Sequence, residues 1–272
     1  MDENNSEYIL GTSDEELDRL GFQHQVWLDE AVDLWQKAGF GLGQNILDVG
    51  CGPGFATLDF ARLVGAVGTV TAVDNSEKFI DYLERQIQSS QLNNVKTKIA
   101  DVHRLGFTDS SFDGAFSRWL LCFVADPESV IAEVSRCLKP GGRFAVMDYF
   151  NYRSVRAYPQ RASIEKLFGA YYESVRQNGG SYDIAGQLPE IMSRNDFEVT
   201  LIKPINRIGH PGSRIWHWVE SFHRSFIPKL VENNFLSEED ADQFKRDWAE
   251  LSQNRAAFFF SPPMLGIIAT KK

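Results

Sequence analysis

Cysteine is scarce in this chain of 272 residues: Cys51, Cys122 and Cys137 are the only three, and none stands in a paired spacing. That argues against a disulfide framework and against a zinc site, and it suits a reducing compartment. Basic runs are missing as well. The 28 Lys and Arg are outnumbered by 37 Asp and Glu, and the net charge of −9 carries no electrostatic footprint for DNA or RNA. No apolar stretch approaches the ~20 residues that span a bilayer. The opening Met1-Asp-Glu-Asn-Asn-Ser-Glu is too acidic and polar for a secretory or mitochondrial signal. Internal repeats and low-complexity tracts are also absent. These gaps leave the expectation of a cytoplasmic protein with neither a membrane nor a nucleic acid as partner and with no bound metal.

What is present is a globular composition, 43% hydrophobic and 24% charged. The length suffices for one large α/β domain with an elaboration, or for two small ones. A helical stretch is predicted from Ser13 to about Ala38, with Ser13 and Glu16 as a capping box and a break near Gly21. Strands are then predicted at Asn45 to Val49, Thr69 to Asp74, Val95 to Ala100, Phe112 to Ser117 and Arg143 to Tyr149. Helices fall between them at Gly54 to Leu63, Glu77 to Gln88 and Pro127 to Leu138. Lys139-Pro-Gly-Gly142 reads as the turn that stops the last of these. Such alternation implies parallel strands joined by right-handed crossovers, hence a doubly wound sheet.

Beyond Tyr149 the pattern changes. A helix is predicted from Arg161 to Gln177, a short one from Leu188 to Ser193, and a strand from Phe197 to Ile202. Two more helices follow, capped by Ser213 and Ser237, with Pro228 ending or restarting the first. A last strand runs from Met264 to Ala269.

Residues 46 to 54 read Ile-Leu-Asp-Val-Gly-Cys-Gly-Pro-Gly. An apolar strand ends there and turns sharply into a helix through Gly50, Gly52 and Gly54, residues that let a ligand approach bare backbone. The dinucleotide fingerprint would need glycine at position 55, where the chain has Phe55. The third glycine comes one place early, and Asp48 stands two residues before the first. An NAD-dependent oxidoreductase is the weaker alternative for that reason.

Asp-x-Gly-x-Gly-x-Gly resembles the first motif of the class I S-adenosylmethionine-dependent methyltransferases. The likeness covers about residues 44 to 150 and points to their small-molecule branch, which includes quinone-biosynthesis and natural-product enzymes. It implies a Rossmann-like seven-stranded sheet, mostly parallel with an antiparallel last strand. It divides a single domain into an N-terminal helical lid (1–43), a core (44–203 and 262–272) and a helical insertion (204–261) that caps the acceptor side. It implies S-adenosylmethionine as cofactor and methyl transfer to a small organic acceptor through O, N or C. A non-catalytic cofactor-binding protein and a cofactor-bound cyclase are the other readings.

The resemblance also assigns residues. Asp74 would accept the ribose hydroxyls with Asn75 beside the adenine; the alternative is a helix N-cap at Asp74 or Ser76. Asp101 and Val102 would meet the adenine edge and face. Asp48 would fix the methionine ammonium, or tie the glycine loop through backbone N–H groups. Ser117 and Arg118 follow the fourth strand, where backbone carbonyls would meet the methionine amine and Arg118 could reach a carboxylate, and Cys51 is a small filler in the loop. Tyr8 and Gln23 resemble lid residues.

The acceptor side is read from composition alone. Tyr149, Tyr152, Trp216 and Phe222 are candidate pocket walls, although aromatics at helical spacing are first of all core. His217 and His223 flank Glu220, but six residues place them ~600° apart around a helix, which does not suit a shared metal. His217 or His210 remains a weak candidate for a general base. Exocyclic-amine methylases usually carry Asn/Asp-Pro-Pro-Tyr after the fourth strand, and this chain has Ser117-Arg-Trp-Leu.

Overall fold

The computed structural model describes residues 13–272. Ser13 caps α1 (Asp14–Val26), its side chain accepting from the Glu16 N–H. α2 follows (Leu28–Lys37). The helical stretch breaks at Trp27 rather than at Gly21. Trp27 is fully buried, and the bend sets its indole edge-on to Trp119 and Trp218, 6.5 and 5.2 Å away. Gly21 has a different use, since a Cβ there would lie 3.1 Å from the Phe55 ring, so it lets α1 approach the helix that follows β1.

The alternating region runs β1 (Asn45–Val49), α3 (Phe55–Val64), β2 (Thr69–Asp74), α4 (Glu77–Ser89), β3 (Val95–Ile99), β4 (Phe112–Arg118), α5 (Pro127–Cys137) and β5 (Leu138–Tyr149). β5 starts five residues earlier than predicted. Leu138 pairs with Phe112 and Arg143 with Gly114, so Lys139 to Gly142 loop out between two paired points of one strand. The elaboration then comprises β6 (Arg156–Tyr158), α6 (Ala162–Gln177), α7 (Leu188–Arg194), β7 (Phe197–Ile205), β8 (Ile208–Gly209), α8 (Arg214–Glu232), α9 (Glu238–Gln253), β9 (Phe258–Phe260) and β10 (Met264–Lys271).

Seven strands form one sheet in the order β3-β2-β1-β4-β5-β10-β7, with β10 antiparallel to both neighbours and the first five strands mutually parallel. β1, β4 and β5 are buried on both faces, as near-continuous apolar runs require. The order reverses between β1 and β4, and a crevice opens at such a switch point, outside the carboxyl ends of the strands. A second sheet, β6-β9-β8, is centred on Phe258–Phe260 and was not legible in the sequence. α8 continues through Pro228, contrary to expectation. Pro228 and Arg224 are both exposed, so the carbonyl that loses its helical partner faces water. Among the described residues no helix is long and apolar enough to cross a membrane.

Candidate functional site

The crevice begins where β1 ends. The Gly50 and Cys51 N–H groups both donate to the Val73 carbonyl at 2.9 Å, which ties the glycine loop to the end of β2. Gly54 sits at φ +82°, and a Cβ there would lie 2.3 Å from Leu83 Cδ1, so this glycine serves packing as well as the turn. Gly52, at φ +54°, differs: no heavy atom lies within 4 Å of where its Cβ would be. Its backbone borders open space, a cradle that a side chain would fill.

Asp74 closes the loop from the other side. Its Oδ2 accepts from the Gly52 N–H at 2.8 Å and its Oδ1 from the Ser76 N–H at 2.9 Å. Ser76, rather than Asp74, caps α4 by accepting from the Phe79 N–H. Burial raises the Asp74 carboxyl above its usual range, opposed by these backbone donors. Each carboxylate oxygen keeps a further lone pair for an outside hydroxyl. The sequence offered Asp48 as a possible tie for the glycine loop, but Asp74 performs that task. Asp48, 2% exposed, accepts instead from Thr57 Oγ1 at 2.6 Å. Burial lifts its carboxyl to about 6, against the lowering effect of Thr57 and of Arg118 nearby. Burial pushes the Cys51 thiol well above its usual range, which favours the protonated form and suits a small filler rather than a nucleophile.

β4 brings two polar groups to the same edge. Ser117 is fully buried, and its Oγ has no hydrogen-bond partner. Arg118 donates from Nη2 to His24 Nδ1 at 2.9 Å, while its Nη1 is enclosed without a partner. Burial lowers the Arg118 pKa to about 10, with Asp48 and Asp59 pulling the other way. Unsatisfied buried donors cost ~1–3 kcal/mol each and call for an explanation. Two of them lie at the end of β4, the strand paired with β1, where a polar ligand could satisfy them.

Further along the edge, Asn75 is exposed next to Asp74. Asp101, also exposed, accepts from the His103 N–H at 2.9 Å, a bond that lowers its carboxyl pKa, and Val102 is buried beneath it. Tyr8 lies outside the described residues. The Gln23 side-chain oxygen Oε1 is taken by Arg19 Nη1 at 3.0 Å and Trp218 Nε1 at 2.9 Å, the latter a packing contact of α1 with α8.

At the carboxyl end of β5 lies an aromatic chamber. Tyr149, Tyr152 and Phe222 line it with Phe168, Tyr171, Trp218, His223 and Phe259. It encloses about 20 Å³, the room of a single water, so a larger occupant must displace side chains. Tyr149 stacks on Trp119 at 6.2 Å, which joins the chamber to the residue after β4. Trp216 is not part of it. Trp216 stacks on Trp248 at 4.5 Å and donates to Glu220 and Ser252, which places it between α8 and α9.

Neither His217 nor His210 faces the chamber. Both are exposed, bound to Glu220 and to the Ala257 carbonyl respectively, and are poorly placed to serve as general base. His223 is the buried histidine, paired through Nδ1 with the Tyr171 hydroxyl at 2.7 Å and pushed down to about 3 by burial. Sequence reasoning missed Tyr171, His223, His24 and Asp59 as site residues, because pairs 35 and 52 residues apart leave no local spacing to read. A groove of about 1110 Å³ between α8 and α9 has no lining residue from the glycine loop. No group of three or more His, Cys, Asp or Glu that could hold a metal occurs among the described residues.

The family model described as "Methyltransferase domain" matches residues 47–146. Residues 47–146 are thus similar to a methyltransferase domain. The chain is similar to the ubiquinone/menaquinone biosynthesis C-methyltransferase UbiE of Saccharophagus degradans, 32% identical over 54% of this chain and 56% of that protein. It thus spans little more than half the length of that curated relative. Among solved structures it resembles the YcgJ protein of Bacillus subtilis, with a TM-score of 0.59 at 18% identity, over 89% of this chain and 97% of that one. It also resembles geranyl diphosphate C-methyltransferase of Streptomyces coelicolor, with a TM-score of 0.58 at 17% identity, over 92% and 80% of the chains. These structural likenesses show the Rossmann-like fold.

Proposed function

We propose that the protein is an S-adenosylmethionine-dependent methyltransferase acting on a small organic acceptor. The observation that carries this reading is the pair of enclosed, unpartnered polar atoms, Ser117 Oγ and Arg118 Nη1, at the end of the strand paired with β1, together with the open backbone of Gly52 in the loop that follows β1. The residues fit the cofactor along its whole length. Asp74 has spare lone pairs for the ribose, with Asn75, Asp101 and Val102 toward the adenine. The methionine end falls to Asp48, Ser117 and Arg118, with Gly50, Cys51 and Gly54 shaping the loop.

When bound, S-adenosylmethionine supplies a methyl group on a positively charged sulfur, which leaves with the bond pair as the acceptor atom attacks. The residues of this chain have to align the two partners and exclude water. Tyr149 and Tyr152 form an aromatic wall at the strand ends that suits an apolar acceptor, and their side chains must move to admit it. Phe222 contributes to the same wall from α8. The relative from Saccharophagus degradans is named for C-methylation in quinone biosynthesis, which favours a small organic acceptor here as well.

In this reading the segment to residue 43, of which 1–12 lie outside the described residues, is a lid, 44–203 with 262–272 the core, and 204–261 the acceptor-side cap of one domain. The net charge of −9 and the three free cysteines favour a cytoplasmic enzyme that does not act on nucleic acid. The test is incubation with S-adenosylmethionine labelled on its methyl group and a panel of phenolic, amine and carbon acceptors. Label should pass to an organic product with one S-adenosylhomocysteine formed per methyl. Cofactor that binds but keeps its methyl would favour a binding protein or a cyclase.

A further inference from the structure

Arg118 is held from one side only. Its Nη2 meets His24 Nδ1 at 2.9 Å, its Cζ lies 4.9 Å from the centre of the Trp119 ring, and Nη1 is left enclosed and unpartnered. His24 comes from α1, 94 residues earlier in the chain, and is 6% exposed. Its ring stacks on Phe55, the first residue of α3, at 6.0 Å. Its Nε2 meets Asp59 Oδ2 at 2.9 Å, and Asp59 is also bound by Arg62 at 2.8 Å.

The chemistry of the three groups fixes the direction of the chain. Guanidinium can only donate, so Nδ1 is the acceptor and Nε2 carries the proton that goes to Asp59. Burial lowers the His24 pKa, in keeping with the neutral ring this arrangement needs. A buried guanidinium is costly unless it is fully paired. Neither nearby carboxylate completes it: Asp48 is hydrogen-bonded to Thr57, and Asp59 to His24 and Arg62. The free edge of Arg118 is therefore suited to an anion that the chain itself does not supply.

We propose that His24 is a positioning residue, fixed by Asp59, which holds Arg118 ready for the carboxylate at the amino-acid end of the cofactor. The proposal rests on the cofactor reading above and extends it: the N-terminal helix becomes part of the binding site through a residue that does not touch the ligand. Removing His24 frees Arg118 to turn away, and only ligands with a carboxylate then lose affinity.

Calorimetric titration with S-adenosylhomocysteine and with 5′-methylthioadenosine separates the contributions. The second ligand keeps the nucleoside and thioether but lacks the amino-acid end. The wild-type protein should bind S-adenosylhomocysteine more tightly than methylthioadenosine by tenfold or more, on the order of one charge-assisted contact. Arg118→Met should abolish that preference. His24→Leu should reduce it about tenfold with methylthioadenosine affinity unchanged within about twofold. His24→Asn, which keeps an acceptor for Arg118, should restore part of it, and Asp59→Asn should fall between.

Equal weakening of both ligands by His24→Leu would mean a purely structural role and overturn the proposal. So would an unchanged preference in that variant, or no preference in the wild type. A wild-type protein that binds neither ligand contradicts the cofactor reading itself, a different and recognisable result.

Discussion

The glycine-loop edge and the aromatic chamber sit at adjoining strand ends and are built in opposite ways. At the loop edge, backbone N–H groups and short polar side chains are fixed by hydrogen bonds, and Gly52 faces open space. In the chamber, large rings from α6, α8 and β9 fill nearly all the room, and the fixed polar contact is the Tyr171–His223 pair. One region is preorganised for a ligand of set shape. The other is apolar and closed, so its occupant is selected by what the rings can yield to. A cofactor shared among many enzymes suits the first kind of site, and an acceptor particular to one enzyme suits the second.

Substitutions within the loop should break this comparison most sharply. Gly54→Ala forces a left-handed backbone on alanine and drives a Cβ toward Leu83, 2.3 Å away. A loss of about 2–5 kcal/mol is expected in denaturant unfolding, from ~1–2 of backbone strain and ~1–3 of overpacking. Gly52→Ala meets no neighbour. It should lose only ~1–2 kcal/mol of stability from strain while cofactor affinity falls more than tenfold. Equal stability losses in the two variants would mean that the space at Gly52 has no special role.

Asp48→Asn probes the electrostatics. The folded carboxyl titrates at about 6 against a usual 3.8 because it is buried. Between those pH values the folded protein holds a proton that the unfolded chain has lost, so stability falls as pH rises from about 4 to about 6 and stays lower above. Removing the charge should therefore stabilise the ligand-free protein at pH 8 by up to about 3 kcal/mol, an advantage that vanishes below pH 4. Thr57 keeps an oxygen to donate to. Cofactor affinity should fall in the same variant, and chemical denaturation at several pH values beside a binding titration would reveal both effects.

Smaller effects are expected in the chamber and least at the surface. Tyr171→Phe leaves His223 Nδ1 without its partner and should cost about 1–2 kcal/mol of stability with cofactor affinity unaltered. His217→Ala, at a side chain 59% exposed, should change the unfolding free energy by less than ~0.5 kcal/mol and leave methyl transfer intact. A large loss of activity there would return His217 to the list of general bases.

The same contrast explains what could be read from the chain. Asn45–Val49 and Thr69–Asp74 were placed to the residue, because strand, glycine turn and strand-ending acid are local patterns with fixed spacing. The loop-out at Lys139 to Gly142 was legible as a turn, but the pairing of Leu138 with Phe112 was not, since register depends on the partner strand. Gly21 was read as a helix break although its small size serves the approach of Phe55, a contact across two helices. Phe258 to Phe260, three rings in a row without alternation, gave no strand signal, and their pairing with β6 and β8 is set by tertiary contacts. Trp216 and Phe222 are both aromatics of α8 and look alike in sequence. One packs on Trp248 and the other faces the chamber, a distinction made only by where α9 lies.

The most direct test of the account is a calorimetric titration of the purified protein with S-adenosylhomocysteine, run beside Asp74→Ala and beside NAD. The account predicts one saturable site for S-adenosylhomocysteine, weaker by about 1.5–3 kcal/mol in Asp74→Ala, where the ribose acceptor and the tie to Gly52 are both lost. NAD should give no saturable heat. Saturable binding of NAD with none of S-adenosylhomocysteine, or an affinity unchanged by Asp74→Ala, would contradict it.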